Sequence, residues 1–200
     1  MGEFRYNKKI ELGGEIIMNP NFDVAYMTQV IPMLSKYIYL TLSLAVISMA
    51  AGLAIALSLL AVGTYKVKVL NGLSKLYISF LRGTPLLVQL FLLYYGLPQI
   101  MPVFKNVSAF YAAIIGLSMN GSAYMVAIPS LGNTFVDLLK SSSLAFTLGV
   151  AEILAQAQMS AAATYKFFEN YMAVALIYWG IVVFFNLIQK LLEKKLGHAY

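Results

Sequence analysis

The feature that most constrains this chain is a run, residues 37–65, that contains no charged side chain. A helix over that run would extend about 43 Å at 1.5 Å per residue, more than the ~30 Å hydrocarbon core of a bilayer. Residues 170–189 form a second uncharged run. Both predict transmembrane helices, because a helix of this length at the surface of a soluble protein needs a polar face toward water.

Composition supports a membrane protein rather than a soluble domain. Hydrophobic residues make up 60% of the 200 residues and charged residues 11%, and the mean hydropathy is +0.78. The net charge of +6 comes from cations in short segments between apolar runs. That distribution is typical of membrane anchors and not of a nucleic-acid-binding surface. The absence of cysteine excludes disulfides and thiolate metal sites.

We predict an all-α integral membrane protein with about five transmembrane helices. Their approximate limits are residues 37–64, 85–103, 108–127, 141–160 and 170–190. Residues 1–36 form the predicted extracytoplasmic tail, and residues 37–200 form the membrane domain. Met18 is an alternative natural start, because the Gly-Gly-Glu before it is what a purine-rich ribosome-binding site spells in translation. Residues 1–17 would then lie upstream of that start.

Two patterns predict how the first spans are arranged. Ser48, Gly52 and Ala56 recur at four-residue intervals, and such small-residue stripes permit close helix contact. Over residues 66–77, three lysines, Lys66, Lys68 and Lys75, are interleaved with apolar residues at helical spacing, Leu70, Leu73, Leu76 and Tyr77. This pattern predicts a short basic amphipathic connector on the membrane surface.

The cations between the spans predict the orientation of the chain. With the N-terminus outside, most cations near the spans lie on the inner side, namely Lys66, Lys68, Lys75, Arg82, Lys140, Lys190, Lys194 and Lys195. Only Lys36, Lys105 and Lys166 lie near the outer ends. The positive-inside rule therefore predicts an outer N-terminus and a cytoplasmic C-terminus.

Residues 82–98 read as a membrane helix with a marked start and end. Thr84 is the predicted N-cap, Pro85 the first helical residue, and Gly96 and Pro98 the end. The string Arg-Gly-Thr-Pro-Leu-Leu-Val-Gln closely resembles the signature of permease subunits of polar-amino-acid ABC importers, the histidine, glutamine, arginine and cystine type.

Further blocks resemble the same family in the same order, including residues 117–124, 129–140 and 149–154. The positions that match the family signature are Arg82, Gly83, Thr84, Pro85, Gln89, Tyr124, Gly132, Asn133 and Lys140. One departure is large. The cytoplasmic loop with the family's Glu-Ala-Ala motif, which contacts the ATPase, is missing between Ala127 and Ile128.

The resemblance implies a type I importer permease-like bundle in a bacterial plasma membrane. It also implies a second permease subunit in a homo- or heterodimer, cytoplasmic ATP-binding subunits and an extracytoplasmic amino-acid-binding protein. The chain has no phosphate-binding loop of its own, so ATP hydrolysis is expected on a separate chain. We predict no catalytic residue, metal, cofactor or nucleic-acid partner.

Three polar residues at membrane depth are the candidates for a substrate pathway: Gln89, Asn120 and Glu152. Unpaired polar groups are costly in lipid, so such residues often mark function. The alternative is that they join helices through hydrogen bonds, worth about 0.6 kcal/mol each.

For the function of the whole chain, the main prediction is an importer permease. The alternative is a shortened form that inserts into the membrane but is uncoupled from its ATPase. A passive channel is a third possibility that no repeated pore-lining motif supports.

Overall fold

The structure is a computed structural model that describes residues 11–12, 15–16, 22–65, 68–126 and 131–196. The predictions about Met18, the Lys66 side chain and the junction at Ala127–Ile128 fall outside these residues. Near the N-terminus, β1 (Glu11–Leu12) and β2 (Glu15–Ile16) pair antiparallel. The remainder of the described chain is a helical bundle.

The helices of the described part follow one another with short connections. They are α1 (Val24–Ser35), α2 (Ile38–Thr64), α3 (Lys68–Gly83), α4 (Leu86–Phe91), α5 (Leu97–Ile100), α6 (Ala109–Met125), α7 (Leu131–Ser141), α8 (Ile153–Thr164) and α9 (Phe167–Leu196). A π-helical segment, Leu92–Gly96, joins α4 to α5, and 3₁₀ segments cover Pro102–Phe104 and Ser142–Leu148.

Two helices of the described chain are long and apolar enough to cross a membrane: α2, and Phe167–Leu191 within α9. Two bent pairs raise the number to as many as four when each pair is counted as one span. The first pair, Val69–Gly83 with Leu86–Ile100, bends by 112°, and the second, Gly132–Leu148 with Ile153–Thr164, bends by 53°. Helix α6 has 17 residues and is about 26 Å long, slightly shorter than the ~30 Å hydrocarbon core, so it is not counted among these spans. The five-span arrangement therefore stays a prediction.

The small-residue stripe of α2 packs against α6. Ser48, Gly52 and Ala56 are all buried. A Cβ atom added at Gly52 would lie 3.0 Å from the backbone oxygen of Ser118 and 3.5 Å from the backbone nitrogen of Ser122. The two backbones therefore approach each other as closely as a glycine allows, which confirms the predicted close contact.

A second apolar core joins α1 to α8 and α9. Its buried members are Val30, Leu34, Ile153, Ala157, Ala173, Val174 and Ile177. Tyr178 and Ile181 of α9 border both this core and the larger one around α2 and α6. Helix α9 therefore connects the N-terminal helix to the main bundle.

The predicted cap at Thr84 is wrong. Pro85 precedes the first helical residue, Leu86, and α4 has no side-chain cap. The Thr84 hydroxyl donates instead to the carbonyl oxygen of Phe80 at 2.8 Å. The reason is that α3 continues to Gly83, so the Thr84 hydroxyl lies over the last turn of that helix and satisfies one of its free carbonyl groups.

The predicted end at Gly96 and Pro98 is also wrong, because the helical path continues to Ile100. Pro98 has no N–H to donate and would break an α-helix at this depth. The π-helical segment just before it changes the hydrogen-bond register, and Pro98 then falls in the first turn of α5, where a missing N–H costs nothing.

The predicted fourth stretch, residues 141–160, is not one helix. It divides into the 3₁₀ segment Ser142–Leu148 and α8, with a break at Gly149–Glu152. Gly149 has a φ of +94°, a left-handed conformation that favours glycine. The break places Glu152 at the N-cap of α8.

Candidate functional site

The 112° bend between α3 and α4 is held by a cluster of polar contacts. The side-chain amide nitrogen of Gln89 lies within hydrogen-bond distance of the Leu81 carbonyl (2.9 Å), the Thr84 carbonyl (3.0 Å) and the Thr84 hydroxyl (2.8 Å). Asn120 of α6 donates to the Gln89 side-chain oxygen at 3.1 Å. Gln89 is almost completely buried, with 4% of its surface exposed.

Arg82 fixes the same bend to the end of α6. Its Nε and Nη2 groups both donate to the carbonyl oxygen of Ala123, with Nε at 3.0 Å. The guanidinium carbon lies 5.5 Å from the centre of the Tyr124 ring. A cation suits the C-terminal turn of a helix, where carbonyl groups lack partners. Signature residues that are scattered in sequence therefore form one structural unit at the bend.

Glu152 occupies a different place in the bundle and is fully buried. One carboxylate oxygen accepts the backbone N–H of Ala155 at 2.9 Å, which caps α8. The other accepts the hydroxyl of Tyr178 at 2.9 Å and that of Thr41 at 3.5 Å. Glu152 therefore connects α2, α8 and α9, and in this conformation it has no surface to offer a substrate.

A cleft of about 660 Å³ lies between the bend, the end of α6 and α7. We call it the α7 cleft. Six of the sequence-predicted residues line it: Arg82, Thr84 and Pro85 of the bend, Asn120 and Tyr124 of α6, and Asn133 of α7. Gln89 contacts two of the lining residues, Thr84 and Asn120, without lining the cleft itself, and Glu152 does not line it. The structure thus brings Gln89 and Asn120 together and leaves Glu152 apart.

Two signature residues of α7 lie elsewhere. A Cβ atom at Gly132 would meet the side chain of Gln189 of α9, so this glycine permits a close helix contact. Lys140 is exposed at the end of α7 and does not line the cleft.

The structure adds residues that the sequence did not indicate. Asp137 and Ser141 line the α7 cleft. Both follow Asn133 at four-residue intervals, and this helical spacing was the available signal. The contact of Tyr178 with Glu152 joins residues 26 positions apart, and no local pattern predicts it.

A polar network fastens α1 to the α8–α9 connection. Asp23 caps α1 by accepting the Tyr26 N–H at 2.9 Å, and its second carboxylate oxygen pairs with Lys166. The Lys166 ammonium lies 4.2 Å from the centre of the Tyr26 ring. The Asp23 N–H donates to Glu169, and Asn170 donates to the Tyr26 hydroxyl. The hydrogen bond from Lys166 lowers the pKa of Asp23 below its ordinary value of 3.8.

This ion pair predicts an acid-dependent loss of stability. Because the pKa of Asp23 is lowered on folding, the stabilisation is fully present well above its ordinary pKa of 3.8 and is lost as the pH falls through the lowered pKa. Asp23→Asn keeps a capping group and should cost about 0.2–1 kcal/mol at neutral pH. It should also remove this acid-dependent part of the unfolding free energy. Thr28→Ala, on the exposed face of α1, should leave the pH profile of thermal unfolding as in the parent, and an unchanged profile for Asp23→Asn would contradict the prediction.

The bundle combines buried polar contacts with helices that break inside it. Such breaks are tolerated at membrane depth only where the protein satisfies the backbone, an arrangement that transport proteins use. The described fold is therefore that of an all-α membrane bundle with broken helices, a class of fold to which transport proteins belong.

Comparison with known proteins gives the family. The probable amino-acid ABC transporter permease PatM of Vibrio harveyi is 44% identical over 219 residues, covering 90% of this chain and 98% of the relative. The probable amino-acid permease YxeN of Bacillus subtilis (strain 168) is 38% identical, covering 89% and 97%. No protein-family model matches the chain. The chain belongs to the permease subunits of amino-acid ABC transporters.

A solved structure supports the fold. The crystal structure of an amino acid ABC transporter with histidines contains a chain that is 27% identical, with a TM-score of 0.80. The match covers 88% of this chain and 99% of that one.

The alignment lengths agree with the predicted internal gap. Ninety per cent of 200 residues is about 180, so roughly 40 of the 219 positions aligned with PatM hold no residue of this chain. The alignment with YxeN leaves a similar number. Relatives therefore contain about 40 residues that this chain lacks.

Proposed function

We propose that this chain forms half of the substrate pathway of an importer for polar amino acids, paired with a second permease subunit. The observation that carries the proposal is the polar cluster at the α3–α4 bend, where Arg82, Gln89 and Asn120 are held by hydrogen bonds beside the α7 cleft. Cytoplasmic ATP-binding subunits and an extracytoplasmic binding protein would complete the importer. Histidine in the related solved structure supports the class of substrate.

Asn120 is the pathway candidate that the geometry supports best, because it lines the α7 cleft and is only partly buried. Gln89 supports it from behind as a positioning residue, since its side-chain oxygen accepts the Asn120 amide. Glu152 remains a candidate only through a conformation in which the Tyr178 and Thr41 contacts open.

The orientation follows from the cation distribution and is part of the proposal. The chain has no cysteine, so single cysteines can report each side of the membrane. Lys68→Cys and Lys194→Cys should be shielded from an impermeant thiol reagent in intact cells, and Lys105→Cys should react. Labelling of Lys68→Cys from outside would reverse the orientation.

Coupling to ATP hydrolysis is a separate question, because the Glu-Ala-Ala loop that the family resemblance implies for the ATPase contact is missing from this chain. The shortened, uncoupled form is the alternative proposal, and the gap of roughly 40 positions is the observation that bears on it. We expect the unmodified chain not to retain a relative's ATPase on purification. Inserting that relative's segment between Ala127 and Ile128 should restore retention. Retention by the unmodified chain would show that another surface couples the two subunits.

A further inference from the structure

Helix α3 lies across the end of the bundle, whereas its neighbours run along α2, which is long and apolar enough to cross a membrane. The Ser48 hydroxyl of α2 donates to the Ile114 carbonyl of α6 at 3.4 Å. Gly52, one turn further along α2, approaches the backbone of Ser118, one turn further along α6. Helix α6 therefore runs beside α2 in the same direction.

The segment α4–α5 runs back along α6 in the opposite direction. The side-chain oxygen of Gln89 accepts the amide of Asn120 at 3.1 Å. Leu93, one turn later, lies against Gly116, one turn earlier on α6. Helix α3 meets this segment at the 112° bend, only about 22° from a right angle. With α2, α4–α5 and α6 across the bilayer, α3 therefore lies close to the plane of the membrane surface.

Helix α3 has three distinct sides, and two of them are apolar or packed on protein. Leu81 is buried, and the Tyr77 hydroxyl lies 2.9 Å from that of Ser122, so one side packs on the end of α6. An apolar stripe on a helix in the membrane plane suits the boundary with the acyl chains. On α3 such a stripe has helical spacing, and each of its residues exposes more than half of its surface: Val69, Leu73, Leu76 and Phe80.

The third side of α3 is cationic. Lys68, Lys75 and Arg82 recur at seven-residue intervals, a spacing that keeps them on one side of a helix with a drift of about 20° per repeat. The sequence contains no Asp or Glu over residues 24–136, so neither α3 nor the helices it packs on supply a carboxylate. Arg82 is held by the Ala123 carbonyl. Lys75 is exposed, and in the described part of the chain it has no ion-pair partner.

We propose that α3 binds the phosphate groups of anionic phospholipids through the side that holds Lys68 and Lys75. The apolar stripe contacts the acyl chains, and lysine ammonium groups extend to the headgroup layer, as long cationic side chains do at an interface. Lys75 and Leu76 lie about 100° apart around the helix axis, so one lipid can contact both. This surface is separate from the proposed transport function, and it requires neither orientation of the chain.

The test places a fluorophore on α3. Gly72 lies between the two lysines in sequence, a side chain there meets nothing within 4 Å, and the chain has no cysteine of its own. The purified full chain with Gly72→Cys is labelled and reconstituted in phosphatidylcholine nanodiscs. A small fraction of the lipid carries a spin-label quencher, either as phosphatidylglycerol or as phosphatidylcholine. We expect the anionic quencher to be about fivefold more effective, the effect of one lysine at a charged surface.

Matched variants assign this preference to the lysines. Lys68→Gln with Lys75→Gln should bring the ratio of the two quenching efficiencies close to one, and arginine at both positions should preserve it. Lys105→Gln removes an exposed charge outside α3 and should leave the ratio unchanged. A fluorophore at Val46→Cys, an exposed position nearer the other end of α2, should be quenched equally by the two lipids.

Two results with the labelled parent would overturn the proposal. Equal quenching by the anionic and zwitterionic lipids would show that α3 contacts lipid without recognising its charge. Quenching by neither lipid would show that another protein chain covers this helix.

Discussion

Replacing Glu152 by alanine should lower the unfolding free energy of the bundle by roughly 2–5 kcal/mol. The substitution removes the N-cap of α8 and leaves the hydroxyls of Tyr178 and Thr41 without their acceptor in a fully buried place. Three helices would lose their common contact at once. The measurement is the midpoint of unfolding in mixed detergent and lipid micelles.

Matched variants separate the contacts of Glu152 from its bulk. Glu152→Gln keeps the shape and a carbonyl acceptor, so it should cost less than half as much. Gln158→Ala truncates a polar side chain on the same helix that makes no hydrogen bond to any described residue, and it should stay within about 0.5 kcal/mol of the parent. If Glu152→Ala also stayed within that range, the carboxylate would not hold the helices together. That result would favour a role for Glu152 in the substrate pathway.

Gly52→Leu should separate α2 from α6 and destabilise the bundle by about 1–3 kcal/mol or more. The first added carbon alone would lie 3.0 Å from the Ser118 backbone oxygen. Backbone atoms cannot turn aside as a flexible side chain can, so one of the helices must move. The bordering contact from the Ser48 hydroxyl to the Ile114 carbonyl, at 3.4 Å, should be lost with it.

Gly63→Leu is the control for the same helix and the same change. A Cβ atom at Gly63 meets nothing within 4 Å, so leucine should be neutral or should stabilise the helix by a few tenths of a kcal/mol. The two variants should therefore differ in sign or by more than about 1 kcal/mol in the same unfolding assay. Equal effects would mean that the stripe does not lie between α2 and α6.

Much of the fold could be predicted because membrane helices are recognisable in a sequence as long apolar runs without charged residues. The uncharged run 37–65 matches α2 to within one residue at each end, and the run 170–189 lies inside α9. Charged side chains are costly in lipid, so a helix surrounded by lipid carries few of them. The stripe at Ser48, Gly52 and Ala56 was equally readable, because close helix contact in a membrane requires small residues at helical spacing.

The breaks inside helices could not be predicted, because tertiary contacts decide them. Thr84 is a residue type that commonly caps helices, but its hydroxyl donates to the Phe80 carbonyl oxygen in the last turn of α3. Gly96 and Pro98 read as a helix end, but a π-helical segment carries the helix past them. The break before Glu152 brings its carboxylate to Tyr178, which is distant in sequence.

The candidate site was predicted only in part, because contacts between distant parts of the chain decide which polar residues meet. Gln89 and Asn120 stood out as polar residues in apolar runs, and their meeting at the bend satisfies both. Asp137 lay in a polar segment where one more carboxylate carried no signal. Only the fold shows that it lines the α7 cleft together with Arg82.

ATP-driven uptake is the most direct test of the account. Vesicles would hold a relative's ATPase and binding protein with either the unmodified chain or the chain carrying the relative's segment between Ala127 and Ile128. The account predicts ATP-dependent accumulation of a labelled polar amino acid with the inserted segment and none with the unmodified chain. Failure of the segment-bearing chain to accumulate substrate, while it retains an ATPase that hydrolyses ATP, would contradict the claim that this bundle forms an amino-acid pathway.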